Sequence, residues 1–430
     1  MTRSDWPPAA QARYAVIVLM VAYLFSYVDR QILSMLVGPI KADLGLSDTE
    51  ISLLHGLAFA LFYTVFGIWP IGTWADRGNR RNIVAGGVFL WSLMTVVCGR
   101  MTSFAGLFAA RVGVGVGEAA LTPTAYSMLA DYFPPEKRGR ALGLFSMGVY
   151  FGIGLAIMVT GAVVQYVSGL PPFEIPLIGE IRGWQIPFLL VGPPGILVAL
   201  WMMTVREPPR RGGTAQMPNF RDVIAHLLQY RGFYLNFFFG VSCLTLLFNG
   251  LAFWFPAHLM RTFGVDALFV AFTYGPIMFV AGASGILAGG ILADRWRAQG
   301  DRLAEIRVAL VSALALWPVA VATFQVDSVL WALVLAVPTL FLSSFPFGAA
   351  SSAIQLVTPN QLRARVSAIY LLVINIIGIG LGATVASAIS DYVFADDTRI
   401  GDGVSIVALV SAPLAALLFW QSRKAFNSLQ

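Results

Sequence analysis

The chain has 430 residues, 58% of them hydrophobic and only 12% charged, about half the charged share of a soluble domain. Mean hydropathy is +0.76, and apolar runs of 18 residues or more recur along the whole length. This excludes a soluble globular protein and predicts an all-α polytopic membrane protein, because only helices and closed barrels satisfy the backbone in lipid, and these runs are too long and alternate too little for barrel strands. The net charge of +6 is spread over short loops, so it reads as a topology signal and not as a nucleic-acid surface.

Twelve spans are expected, at 14–39, 49–74, 82–101, 104–131, 140–167, 184–204, 233–260, 266–292, 304–324, 328–357, 364–390 and 403–421. The first run, from Tyr14, has no small-residue cleavage site and is long enough to cross a bilayer, so it is not read as a removable signal. An even count puts both termini on one side. With the N-terminus inside, 21 of the 28 Lys and Arg fall in cytoplasmic segments and 5 on the far side, the bias that sets orientation.

Span one carries Asp29 fifteen residues beyond Tyr14, about 22 Å along a helix and past mid-depth. Arg30 follows it, about 100° away around the axis. It is expected to face another group or to snorkel outward. Span two ends in Gly72-Thr-Trp-Ala75-Asp76-Arg77, followed by Arg80 and Arg81.

Span four contains Arg111-Val-Gly-Val-Gly-Val-Gly-Glu118. The seven-residue spacing places both charges on one helix face, roughly 10 Å apart along the axis. Gly113, Gly115 and Gly117 bare the backbone so that a neighbouring helix can approach closely. Charge at bilayer depth is costly and faces protein or a watery cavity. Two readings stay open: an ion pair that locks helices together, or a proton-titrating site. Burial and a nearby arginine pull a carboxyl group's proton affinity in opposite directions. On the second reading Asp29 and Glu118 exchange protons, and Arg111 competes with protons for them.

Residues 168–183 form the longest external loop, rich in Pro and Gly, and are expected to make a hairpin-like cap. Residues 205–231 read as a cytoplasmic linker, and Phe220 to Tyr230 within them as a short amphipathic surface helix. The resulting division is 1–204, 205–231 and 232–430. Gly290-Ile-Leu-Ala293-Asp294-Arg295 repeats the span-two string 218 residues later, again ending an even-numbered span. Parallel six-helix repeats of this kind are a layout of alternating-access transporters. Aromatics gather on spans seven and ten. Cys98, Cys243 and three scattered histidines show no disulfide or metal spacing.

Gly72-x-x-Ala75-Asp76-Arg77-x-x-Arg80-Arg81, its partial copy, the twelve spans and the linker resemble the major facilitator superfamily over essentially the whole chain. Tyr27-x-Asp29-Arg30 and Arg111-x-x-x-Gly115-x-Gly117-Glu118-Ala119 resemble its Spinster branch. Gly148-x-x-x-Gly152-x-Gly154 resembles the glycine-rich antiporter signature, with Ile153 where that signature has proline.

The resemblance implies twelve helices in two pseudo-symmetric six-helix bundles, in a plasma (bacterial inner) membrane. It implies proton-coupled movement of lysophospholipids, sphingosine-type lipids or amphiphilic drugs by a monomer, with protons as the coupling ion and no other cofactor. It also implies a conformational latch of Gly72, Asp76, Arg77, Arg80 and Asp131, with Asp294 and Arg295 in the second copy. Asp76 would meet the start of span eleven near Leu362, and Arg80 would pair with Asp131. Candidate substrate-cavity residues are Arg30, Tyr126, Tyr150, Phe248, Trp254, Gln355, Tyr370 and Asn375. Alternatives are uptake of a small organic anion held by Arg111, and a transport-inactive sensor. No phosphate-binding loop, dinucleotide fingerprint or nucleophile–base set is present, so no enzyme, ATP or nucleic-acid role is expected.

Overall fold

The computed structural model describes residues 6–68, 71–167, 171–175, 179–210, 220–359 and 361–427. Its helices are α1 (Ala9–Leu44), α2 (Asp48–His55), α3 (Leu57–Ile68), α4 (Ile71–Arg77), α5 (Arg80–Cys98), α6 (Phe104–Glu118), α7 (Leu121–Tyr132) and α8 (Pro135–Val167). A two-stranded antiparallel sheet comes next, β1 (Phe173–Ile175) with β2 (Gly179–Ile181). Then come α9 (Ile186–Met202), α10 (Phe220–Gln229), α11 (Arg231–Phe263), α12 (Ala267–Ala298), α13 (Ala304–Gln325) and α14 (Val329–Ser344). The chain closes with α15 (Phe347–Val357), α16 (Arg363–Ile374), α17 (Leu381–Ala388) and α18 (Ile400–Asn427). Twelve of the resulting helical segments are long and apolar enough to cross a membrane, matching the expected number. The hairpin falls inside 168–183, and α10 inside 220–230, as the composition of those stretches predicts.

The helix ends obey local chemistry. Pro8 precedes α1, which runs 36 residues, about 54 Å and well beyond a 30 Å hydrocarbon layer. Gly45 stops it in the left-handed conformation and donates its N–H to the Lys41 carbonyl, the usual glycine ending. Ser47 and Glu50 form a reciprocal capping box that starts α2, satisfying donors that a helix start leaves open. Asn79 and Ser103 each cap a helix start, of α5 and α6, by accepting from a backbone N–H three residues on.

Four spans are interrupted among the described residues, span ten at Phe345 and Pro346 between α14 and α15. Span two breaks at Gly56, between α2 and α3, and span four at Ala119 and Ala120, directly after Glu118. Span eleven is interrupted by wide π turns at Asn375–Gly380 and Ile389–Phe394.

Contacts divide the chain into two compact units. The first contains residues 1–212 and 266–275, the second 213–265 and 276–430. Within the first, α1 packs along α8, α5 along α9, and α3 against α6. Within the second, α11 and α13 both pack along α18. Of the 205–231 stretch, 211–219 lies outside the described residues.

Candidate functional site

Asp29, Arg30, Arg111 and Glu118 are all buried in the first unit. Burying four ionised side chains is unfavourable unless each finds a partner. The partners are crossed. Arg111 on α6 donates to Asp29 on α1 (Nη1–Oδ1 3.2 Å). Arg30 on α1 donates to Glu118 on α6 through both Nε and Nη2, at 2.7 Å each to Oε2. Span one and span four thus each contribute one acid and one base. Of the two expectations for Arg30, facing another group or snorkelling outward, the structure shows the first: its partner is Glu118.

Neighbouring groups hold each pair. Thr95 on α5 donates to Asp29 Oδ2 at 2.7 Å. Ser26, one turn before Asp29 and Arg30, donates to Glu118 Oε2. Arg111 also reaches the carbonyls of Asp29 and Leu54, both at 3.4 Å. Leu54 precedes the Gly56 interruption. His55 beside it contacts the Arg30 carbonyl through Nδ1 at 3.2 Å. A carbonyl only accepts, so Nδ1 carries the hydrogen. The Arg30 guanidinium lies 4.1 Å from the centre of the Phe59 ring, 4.7 Å from Tyr27 and 5.0 Å from Tyr63. Such faces stabilise a cation removed from water.

The three glycines act as their spacing predicts. A Cβ on Gly115 would stand 2.7 Å from the Phe59 carbonyl oxygen, and one on Gly117 2.6 Å from the Trp91 nitrogen. Close approach of α3 and α5 to α6 brings the rings and Thr95 to the charges. Two polar atoms keep spare capacity: Glu118 Oε1 and Arg111 Nη2 are buried and lack hydrogen-bond partners among the described residues. Arg30 is the least buried of the four side chains, 10% exposed against 0–2% for the others.

The loop motif forms a second cluster. Arg80, also buried, reaches Asp131 at 2.5 Å and Glu207 at 2.7 Å, and donates to the Ser127 hydroxyl and the Pro208 carbonyl. Glu207 also accepts from the Arg81 backbone N–H. Arg210 donates to the carbonyls of Ala75 and Gly78. Gly72 is half-buried and Arg77 exposed; the Asp76 side chain lies outside the described residues, so its expected partner near Leu362 is not described.

The copy in the second unit behaves differently. Asp294 and Arg295 are exposed and have no hydrogen bond or ion pair among the described residues. The loop is held instead by Arg297, whose Nε donates to buried Glu305 at 2.7 Å and whose Nη2 completes the fork. The expectation that Asp294 and Arg295 form the second latch is corrected: they lie exposed in the last turns of α12, and the pairing is made two residues on, by Arg297.

The remaining candidates scatter. Tyr126 is exposed, with its edge on Phe145. Tyr150 is buried. Phe248 is half-buried against Phe347. Gln355 is exposed and Asn375 half-buried at the first π turn. Trp254 is fully buried and donates its indole N–H to the Ala383 carbonyl at 2.8 Å. Tyr370 is buried among Phe237 and Phe238. Trp254 and Tyr370 are therefore core residues of the second unit. Sequence reasoning missed Ser26, His55, Thr95, Glu207, Arg297 and Glu305 as members of these clusters.

The Major Facilitator Superfamily model matches residues 19–383. The chain belongs to that superfamily. It is 30% identical over 413 residues to an MFS-type efflux pump of Mycolicibacterium smegmatis, covering 94% of this chain and 91% of the pump. It is 27% identical to a probable L-galactonate transporter of Escherichia coli over 66% of this chain and 62% of that protein. Its structure is similar to the crystal structure of a bacterial homolog to the human lysosomal transporter Spinster, captured inward-facing and unoccupied. The TM-score is 0.82, identity 27%, and 99% of both chains is covered. The protein is an integral membrane transporter, not an enzyme.

Proposed function

We propose that the protein is a proton-coupled secondary transporter working by alternating access, with Glu118, Asp29, Arg111 and Arg30 as its coupling centre. The observation that carries this is the buried Oε1 of Glu118, which has no hydrogen-bond partner among the described residues, beside an Arg30 bonded to Oε2. A proton can add to Oε1 without first displacing Arg30. Once neutral, Glu118 no longer balances the guanidinium charge, and the contact between spans one and four weakens. Asp29 then offers the second titrating site, and Arg111 sets the competition for its proton. Arg80, Asp131 and Glu207 serve as a latch at one end of the first unit.

The cargo we favour is an amphiphile: a lysophospholipid, a sphingosine-type lipid or an amphiphilic drug. The efflux pump and the Spinster homolog among the similar proteins support this class. In this reading the protein works as a monomer, as the family resemblance implies, with both termini cytoplasmic, following the charge bias of its loops.

A second reading, uptake of a small organic anion, is favoured by one observation. Arg30 is the most accessible charge of the cluster and rests on aromatic rings. Arg30, and not fully buried Arg111, would then receive the carboxylate. The similarity to a sugar-acid transporter points the same way.

The test uses purified protein in liposomes under an imposed pH gradient, with a lysophospholipid, sphingosine, a cationic dye and galactonate side by side. Gradient-driven movement of one of the first three supports the amphiphile reading. Movement of galactonate alone supports the second. Equal movement with and without the gradient removes proton coupling.

A further inference from the structure

The Thr95 hydroxyl lies between two acceptors. Its Oγ1 is 2.7 Å from Asp29 Oδ2 and 2.8 Å from the carbonyl oxygen of Trp91, four residues back on α5. A hydroxyl has one hydrogen and two lone pairs, so it donates to one of these at a time. Thr95, Trp91 and Asp29 are each 1% exposed, so bulk water does not stand in for the bond that is absent. Both acceptors are held in place. A Cβ on Gly117 would stand 2.6 Å from the Trp91 nitrogen, and one on Gly87 2.6 Å from the Gly117 carbonyl oxygen, so α5 and α6 touch through their backbones here. Asp29 is pinned on its other oxygen, Oδ1, by Arg111.

The charged and titratable groups that face Asp29 are Arg30 on its own helix, Arg111 and Glu118 on α6, and the Cys98 thiol on α5. On α2, His55 meets the Arg30 carbonyl. Among the described residues only Thr95 bonds Oδ2. Glu118 has no such arrangement: Ser26 donates to its Oε2 and has no second acceptor among the described residues.

We propose that Thr95 is a hydroxyl rotor that satisfies Asp29 in both of its charge states and directs the arriving proton to Oδ2. With Asp29 ionised, Thr95 donates to Oδ2. The proton adds to Oδ2 and not to Oδ1, because Oδ1 faces Arg111, a group that only donates. The new O–H then donates to Thr95 Oγ1, and the threonine hydrogen turns to the Trp91 carbonyl. One O–H bond forms, none breaks, and no heavy atom has to move. Each buried donor keeps an acceptor in either state, where an unmatched one would be costly. The rotor rests on the proposed titration of Asp29 and adds which of its oxygens takes the proton.

The test reads the carboxyl group itself and needs no cargo. Infrared difference spectra of the full-length protein in liposomes are recorded across a pH titration, since a protonated carboxyl shows a C=O stretch that a carboxylate lacks. The Asp29 band is the one missing from Asp29→Asn. Thr95→Val keeps the side-chain shape and removes the hydroxyl. It should raise the titration midpoint of that band by about one pH unit, roughly a tenfold change, because the hydrogen bond lost from the charged form is stronger than the one lost from the neutral form. The band should also move to higher frequency, because the Asp29 O–H has lost its acceptor. Thr95→Ser keeps the hydroxyl and should leave midpoint and frequency at the wild-type values, which separates the rotor from a change in packing. An unchanged midpoint and frequency in Thr95→Val would overturn the rotor and leave the titration of Asp29 standing, as would a serine variant that behaves like the valine one. If Asp29→Asn removes no band, Asp29 does not titrate, and both the rotor and its part in coupling fall.

Discussion

The two units share a helical plan and spend their interiors differently. The first buries Asp29, Arg30, Arg111 and Glu118 in its middle and Arg80 at one end. The second buries rings instead: Phe233, Tyr234, Phe237, Phe253 and Trp254 are among its largest enclosed side chains. Among its described residues the buried histidine and carboxylate, His258 and Glu305, stand apart from any such crossed set. Core packing alone would not require this asymmetry, since apolar residues of similar volume replace buried ion pairs with little loss or even a gain. The charges kept in the first unit, at a cost, are the ones the proposed coupling centre uses.

The sharpest way to break this contrast is to remove a carboxylate. Glu118→Gln and Asp29→Asn should each reduce gradient-driven transport to background in the liposome assay. Asp29→Asn also leaves Arg111 buried without a counter-charge and should destabilise the protein by about 3–5 kcal/mol, whereas Asp29→Leu combined with Arg111→Met should recover most of that loss. Thermal unfolding in detergent measures both. If the single and double variants unfold alike, Asp29 and Arg111 do not compensate one another's buried charge.

The two copies of the loop string offer the next comparison. Arg80 is 1% exposed and shared by two carboxylates, while Arg297 is 36% exposed. Arg80→Gln should cost about 3 kcal/mol. Arg297→Gln should cost nearer ~1 kcal/mol, because solvent screens a half-exposed pair. Equal losses in unfolding temperature would remove the distinction between the loops. A smaller effect is expected from Trp254→Phe. It keeps the ring packing but deprives the Ala383 carbonyl of its donor, at about 1 kcal/mol.

The smallest effect is a pH dependence of α10 docking. Burial holds the His226 imidazole below its ordinary pKa. The docked helix therefore binds fewer protons than the released one, so docking is favoured above the ordinary histidine value of about 6.5 and weakens as pH falls below it. Hydrogen exchange of the α10 amides, corrected for intrinsic rate, should quicken between about pH 7.5 and pH 5.5, on either side of that value. His226→Phe should flatten that change.

Much of this is legible in the sequence, for physical reasons. Hydropathy gives spans because lipid tolerates little else. Charges within spans stand out against that background, so Asp29, Arg111 and Glu118 are visible as a group. Their pairing is not, because it depends on how α1 and α6 are rotated about their axes. For that reason the sequence leaves Arg30 between facing another group and snorkelling outward, and only the structure names Glu118 as its partner. Ser26, Thr95 and His55 give no signal, since single polar residues in apolar helices usually bond their own backbone. Glu207 sits in a proline-rich stretch that reads as linker. At the second loop the repeated letters draw attention to Asp294 and Arg295, while the contact forms two residues on, at Arg297.

If protons drive the cargo cycle through Glu118, accumulation and exchange must respond differently to its loss. The most direct measurement compares these two modes of transport in the same liposomes, for whichever probe the wild-type protein moves. Glu118→Gln should still exchange labelled for unlabelled probe across the membrane but should fail to accumulate it against a gradient when a pH difference is imposed. Accumulation by Glu118→Gln at the wild-type level would contradict a coupling role for this carboxylate.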